Sequence, residues 1–169
     1  GTWSTFQIDP AENLGDGPLW FAVGAHEAYA CPEGYANYEL WFAQPETLAR
    51  SVLKGPLLTG GTEIVAETCQ ALPIRDALFA NDTLVLAGLG SRSVTLKSPL
   101  HGRSVRVDFD GFDNLLIWTQ IGAPFVCIEP WTNLPDFVDT DQDIAKKPGL
   151  TWLKSGEKRA FVHTMTFEG

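Results

Sequence analysis

The chain has 169 residues, 44 % hydrophobic and 20 % charged, which is enough for one domain with its own core. A net charge of −9 disfavours nucleic acid and anionic membranes as partners, because both repel it, and suits an uncharged ligand such as a sugar. Cys31, Cys69 and Cys127 are widely spaced with no CxxC pair; they read as reduced thiols, no signal or membrane-spanning run is read, and a cytoplasmic location is expected.

In chain order, residues 19–23 predict a short strand, and the Gly24-Ala25-His26-Glu27-Ala28-Tyr29 turn follows it. Residues 45–53 predict a short helix, with Pro45 in its first turn and Lys54-Gly55-Pro56 ending it. Residues 83–86, 115–119 and 125–128 are apolar on both sides and predict inner strands. Residues 93–97, 104–109 and 161–168 alternate with a period of two, the mark of half-buried antiparallel strands. Turn residues fall between them, at Pro99-Leu100-His101-Gly102, Asp110-Gly111, Gly122-Ala123-Pro124 and Lys154-Ser155-Gly156-Glu157. Many short strands separated by Gly and Pro predict an all-β sandwich or barrel, a single domain over residues 1–169.

Phe125-Val126-Cys127-Ile128-Glu129-Pro130-Trp131 carries the strongest chemical signal. Alternation puts Glu129 on one face with Phe125 and Cys127, and Pro130 is expected to end the strand, leaving the carboxylate at a sheet rim. Partial desolvation there raises a carboxyl pKa and makes a better base, whereas an arginine partner would make it structural. Histidine is the residue type that changes charge near neutrality, so His26 suits a general acid; a loop histidine bonded to backbone is the competing reading. His101 reads as a hairpin-turn residue and His163 as a satisfied core histidine.

Trp131 is placed to stack on the C–H face of a sugar, while Trp118 reads as core or pocket wall, with core the preferred reading. His26-Glu27 is not part of an HExxH motif, since Ala30 holds the second histidine position, and no metal is expected. Asp136, Asp139, Asp141 and Asp143 read as a solvated acidic loop ahead of a weak calcium site, because Ile144 and Leu150 replace the glycine and glutamate of a calcium loop. There is no dinucleotide fingerprint, P-loop or GxSxG, and no cofactor is expected.

Several pieces in one order resemble the aldose 1-epimerase (galactose mutarotase-like) family, in particular its LacX-like branch. They are Phe21-Ala22-Val23-Gly24-Ala25-His26-Glu27-Ala28-Tyr29-Ala30-Cys31-Pro32, Leu57-Leu58-Thr59-Gly60, Leu78-Phe79-Ala80-Asn81-Asp82-Thr83-Leu84-Val85, Ser91-Arg92-Ser93-Val94-Thr95-Leu96, Val107-Asp108-Phe109-Asp110-Gly111-Phe112 and the Glu129 segment, with a later Pro-Gly-Leu ending at Leu150. Glu27 stands where the branch has proline.

The resemblance implies a β-supersandwich and the interconversion of α and β anomers of an aldose, without a cofactor. In the family's pattern Glu129 takes the proton of the C1 hydroxyl, His26 protonates the ring oxygen, and Asp82 aligns with a sugar-binding aspartate. It also implies that these residues are the C-terminal portion of the family's domain. The expected partners are a small-molecule sugar and the N-terminal portion, as a separate polypeptide or one removed by proteolysis or by the definition of the chain. Two further readings compete: a sugar-binding sandwich module without turnover, and a sugar-phosphate epimerase using Arg92, Arg103 and Arg106.

Overall fold

The computed structural model describes residues 1–169. In chain order the strands are β1 (Thr2–Glu12), β2 (Leu19–Phe21), β3 (Glu27–Ala30), β4 (Glu39–Lys54), β5 (Leu57–Pro73), β6 (Leu84–Ala87), β7 (Ser93–Lys97), β8 (Ser104–Asp108), β9 (Asn114–Trp118), β10 (Phe125–Trp131), β11 (Thr151–Leu153) and β12 (Lys158–Glu168). The helical content is three single 3-10 turns. No helix is long and apolar enough to cross a membrane.

Ten strands form one antiparallel sheet in the order β1-β12-β8-β7-β4-β6-β9-β10-β3, with β5 added along β4, and β2 pairs with β11 in a separate ribbon. The period-two segments explain its inner face. Leu84, Leu86, Leu115, Ile117, Val126 and Ile128 alternate into one cluster that also takes Leu40, Phe42, Val94, Val107 and Phe161. Position matters as much as order: β12 is second in the sheet and β3 last, yet their inner faces touch. His163 Nε2 lies 3.3 Å from a Glu27 oxygen, and the Tyr29 and Phe167 rings are 6.4 Å apart. The sheet is therefore strongly curled, with the core inside the curl.

The helix expected over residues 45–53 is instead strand. Residues 39–54 are one half of a long hairpin, turning at Gly55 (φ 58°) into β5. Leu48 alternates inward and is fully buried, and β4 is flanked by β5 on one side and by β7 and β6 on the other. Hydrogen bonding on both sides overrides the helix-forming composition. Pro45 is tolerated because it falls in an irregular stretch of the β4–β5 register, between Trp41 and Glu46.

The strand expected to stop at Pro130 runs on to Trp131. The Pro130 carbonyl accepts from the Ala25 N–H at 3.0 Å. In an extended strand the nitrogen faces the same side, away from β9, so the missing N–H costs the β9 ladder nothing.

Candidate active site

His26 and Glu129 are about a hundred positions apart in the chain but are cross-strand neighbours. The β3–β10 register pairs Glu27 with Ile128, and Gly24 bridges Trp131 further along. Position 26 therefore falls opposite position 129, where cross-strand side chains stand close enough to touch. His26 Nδ1 lies 3.3 Å from Glu129 Oε1; the imidazole is 60 % exposed and the carboxylate 3 %. Glu129 projects from the sheet face opposite the core, together with Cys127 and beside Leu116 of β9.

The loop carrying His26 is fixed by backbone bonds to β10. The N–H of Thr132 donates to the Val23 carbonyl at 2.9 Å, and the Val23 N–H donates to Thr132 Oγ1 at 2.9 Å. Between them Pro130 has no N–H to offer the Ala25 carbonyl. The indole N–H of Trp131 takes that acceptor at 3.0 Å. The ring lies against Gly24, where a Cβ would come within 2.8 Å of Cδ1. Trp131 thus clamps the strand that leads into His26.

Burial, reinforced by the nearby carboxylates of Glu27 and Asp82, pushes Glu129 up to about 7. No lysine or arginine pairs with it, so the structural arginine partnership weighed for Glu129 is absent. Asp82 sits at the turn before β6 in a left-handed conformation (φ 75°), which aspartate tolerates better than most residues. Its carboxylate accepts from the Trp118 indole N–H at 3.0 Å. Of the two readings of Trp118, core and pocket wall, core is the one the structure does not support. Trp118 is half-buried on the site face instead, its ring edge-on to His26 at 6.2 Å between centroids. The period of two in residues 115–119 carried this signal, because it opposes Trp118 to the core residues Leu115 and Ile117.

The remaining residues singled out in the sequence lie outside this cluster. His101 accepts from the Arg103 N–H in its turn, as a hairpin residue. His163 is fully buried, but neither ring nitrogen has a hydrogen-bond partner, so it is not the satisfied histidine expected. Its close neighbour is Glu27, which follows His26 and faces the inside of the curl. Arg92 donates to the Phe112 and Leu89 carbonyls, Arg103 approaches Glu33, and Arg106 pairs with Asp108. No basic cluster forms for a phosphate. In the acidic loop Lys146 binds Asp141 and Asp143, and Lys147 binds Asp136.

One cavity, about 780 Å³, is an apolar trough between β3 and the ends of β1, β8 and β12, lined by Trp3, Tyr29, Met165 and Phe167 among others. It includes Glu27 but neither His26 nor Glu129. For a metal, the candidate ligands are His26, Cys127 and Glu129.

No family profile matches the chain. The chain is 36 % identical over 156 residues to the chromosomally encoded protein LacX of Lactococcus lactis subsp. lactis, an alignment covering 86 % of this chain and 51 % of that protein. Among solved structures it resembles a galactose mutarotase related enzyme from Lactobacillus acidophilus, with a TM-score of 0.90 at 26 % identity over 98 % of this chain and 58 % of that one. A galactose mutarotase-like protein from Lactobacillus casei gives a TM-score of 0.87 at 26 % identity, covering 96 % and 58 %. The chain spans about half the length of the curated relatives it matches. Over that span, it belongs to the LacX branch of the galactose mutarotase-like, aldose 1-epimerase-like family.

Proposed function

We propose that Glu129 and His26 act as the base and acid of an aldose 1-epimerase. The observation that carries this reading is their 3.3 Å contact, between a buried carboxylate free of lysine or arginine partners and an exposed imidazole. A hemiacetal carbon bears two oxygens, the anomeric hydroxyl and the ring oxygen. Opening the ring needs a proton removed from the first and one delivered to the second, so one base and one acid suffice.

A carboxylate raised to about 7 is basic enough to take the hydroxyl proton yet still ionised in part near neutrality. His26, open to solvent beside it, supplies the proton to the ring oxygen. Rotation about C1–C2 presents the other face of the carbonyl, and closure runs both transfers in reverse. Trp118 offers an aromatic surface beside His26, and Asp82 an acceptor for a sugar hydroxyl. Trp131 supports the site by holding the Gly24–Ala25 segment in place.

Polarimetry of freshly dissolved α-glucose and α-galactose tests the reading. The chain is expected to hasten the approach to anomeric equilibrium. Glu129→Gln and His26→Gln are each expected to slow it by roughly 10²–10⁴-fold, the worth of one positioned proton transfer. No acceleration for any aldose tried, or a Glu129→Gln variant as fast as the parent, counts against it. Retained sugar affinity without exchange in the parent indicates a binding module instead.

A further inference from the structure

The register that joins His26 to Glu129 brings in a third reactive group. Cys127 lies two residues before Glu129 on the same face of β10. A His26 ring nitrogen, Cys127 Sγ and a Glu129 carboxylate oxygen all fall within 4.8 Å of one another. We propose that these three side chains bind one thiophilic divalent cation, zinc being the best match, and that its binding blocks the sugar reaction. The blocking half rests on the acid–base reading above; the metal site does not.

The donor set argues for zinc. Imidazole, thiolate and carboxylate on three protein ligands, with a fourth position open, is the pattern of reactive zinc sites. Magnesium and calcium prefer all-oxygen cages and would leave the sulfur unused. Zinc bonds of about 2.0–2.3 Å at tetrahedral angles put ligand atoms roughly 3.3–3.6 Å apart. The His26–Glu129 pair already stands at 3.3 Å. The sulfur must approach by up to about 1.2–1.5 Å, within reach of side-chain rotation at Cys127 and the exposed His26. That exposure also supplies the entry path and the open fourth position.

The surroundings favour a cation. Glu27 and Asp82 add negative potential around Glu129, and no lysine or arginine pairs with any of the three. Burial, with the carboxylates of Glu129 and Glu27, keeps the proton on the Cys127 thiol. Binding replaces that proton with the metal: the S–H bond breaks, a sulfur–metal bond forms, and the proton leaves to solvent. Once the metal holds the Glu129 oxygen and the His26 nitrogen, neither group is available for proton transfer to a sugar.

A titration with Co²⁺, followed in the near ultraviolet, tests the site without turnover. The expected result is saturable one-to-one binding with a thiolate-to-cobalt charge-transfer band, released protons, and displacement by Zn²⁺. Cys127→Ser is expected to lose the band and weaken binding by at least about 10–100-fold, the worth of even an outer-shell partner. His26→Ala, at an exposed position, is expected to weaken binding similarly and serves if the cysteine variant fails to fold. No saturable binding, or a band that survives Cys127→Ser and so arises from Cys31 or Cys69, overturns the proposal.

Stoichiometric Zn²⁺ is then added to the polarimetric assay. Slowing that a chelator reverses supports the blocking role, and zinc that binds without slowing exchange refutes it. Should the parent show no exchange at all, the acid–base reading falls while the cobalt spectrum still decides the metal site.

Discussion

Replacing Glu129 with glutamine keeps the shape of the side chain and removes its charge, which separates stability from activity. In the unfolded chain this carboxylate titrates near 4.5; in the fold burial and the neighbouring carboxylates lift it to about 7. The protonated form is therefore the one the fold favours. The stability it contributes is complete below about pH 4.5, falls as pH rises, and is gone above about pH 7.

At ~1.4 kcal/mol per pH unit the fall amounts to roughly 3 kcal/mol, which solvent reaching the site past His26 trims to about 2–3 kcal/mol. Glutamine does not titrate, so Glu129→Gln escapes this loss. Urea unfolding of parent and variant from pH 4.5 to 8.5, with chelator present, is expected to show a gap that widens with pH. By pH 8 the variant is the more stable by about 2–3 kcal/mol, or about 5–10 °C in Tm. It is also the slower catalyst. A gap that is flat or narrows with rising pH, or a variant less stable than the parent at pH 8, refutes the reasoning.

Glu27→Gln removes one of the charges that raise Glu129; the acidic limb of the pH–rate profile is expected to move to lower pH, and an unmoved limb shows that burial alone sets the base. Gly24→Ala puts a methyl group within 2.8–3.0 Å of three atoms of the Trp131 ring. The indole cannot yield without losing its bond to Ala25, so a loss of about 1–3 kcal/mol in urea unfolding is expected, and none is expected if the clamp is slack. Trp131→Phe leaves the Ala25 carbonyl without its donor and is expected to cost about 1–3 kcal/mol, with slower exchange at unchanged Glu129 basicity, read from the same pH–rate profile.

The alternating segments make the all-β class legible in the sequence, but not which strands lie side by side. Glu129 and His26 were legible because an ionisable residue ending an apolar run, and a histidine in a Gly-Ala turn, are unusual locally. Their meeting follows from a strand register that no local pattern encodes. Residues 45–53 misled because their local composition fits a helix, and only pairing on both sides of β4 decides for strand. No element is predicted over residues 2–12, where β1 is mostly exposed and the apolar side chains Phe6 and Ile8 face solvent. Trp118 is ambiguous in the sequence because an apolar run does not say which face looks onto a site, and its ring stands edge-on to His26. The nearness of Cys127 to His26 is hidden in the sequence for the same reason as the meeting of His26 with Glu129: its neighbour across the sheet is distant in the chain.

The indole that serves the Ala25 carbonyl makes Pro130 and Trp131 a single unit of substitution. Restoring a main-chain N–H at position 130 would introduce a rival donor for one acceptor and release the ring from its post; changing the ring alone would strand the acceptor. Exchange at the two positions is therefore epistatic: a drifting sequence passes more readily from one arrangement to the other by altering both residues than by altering either first.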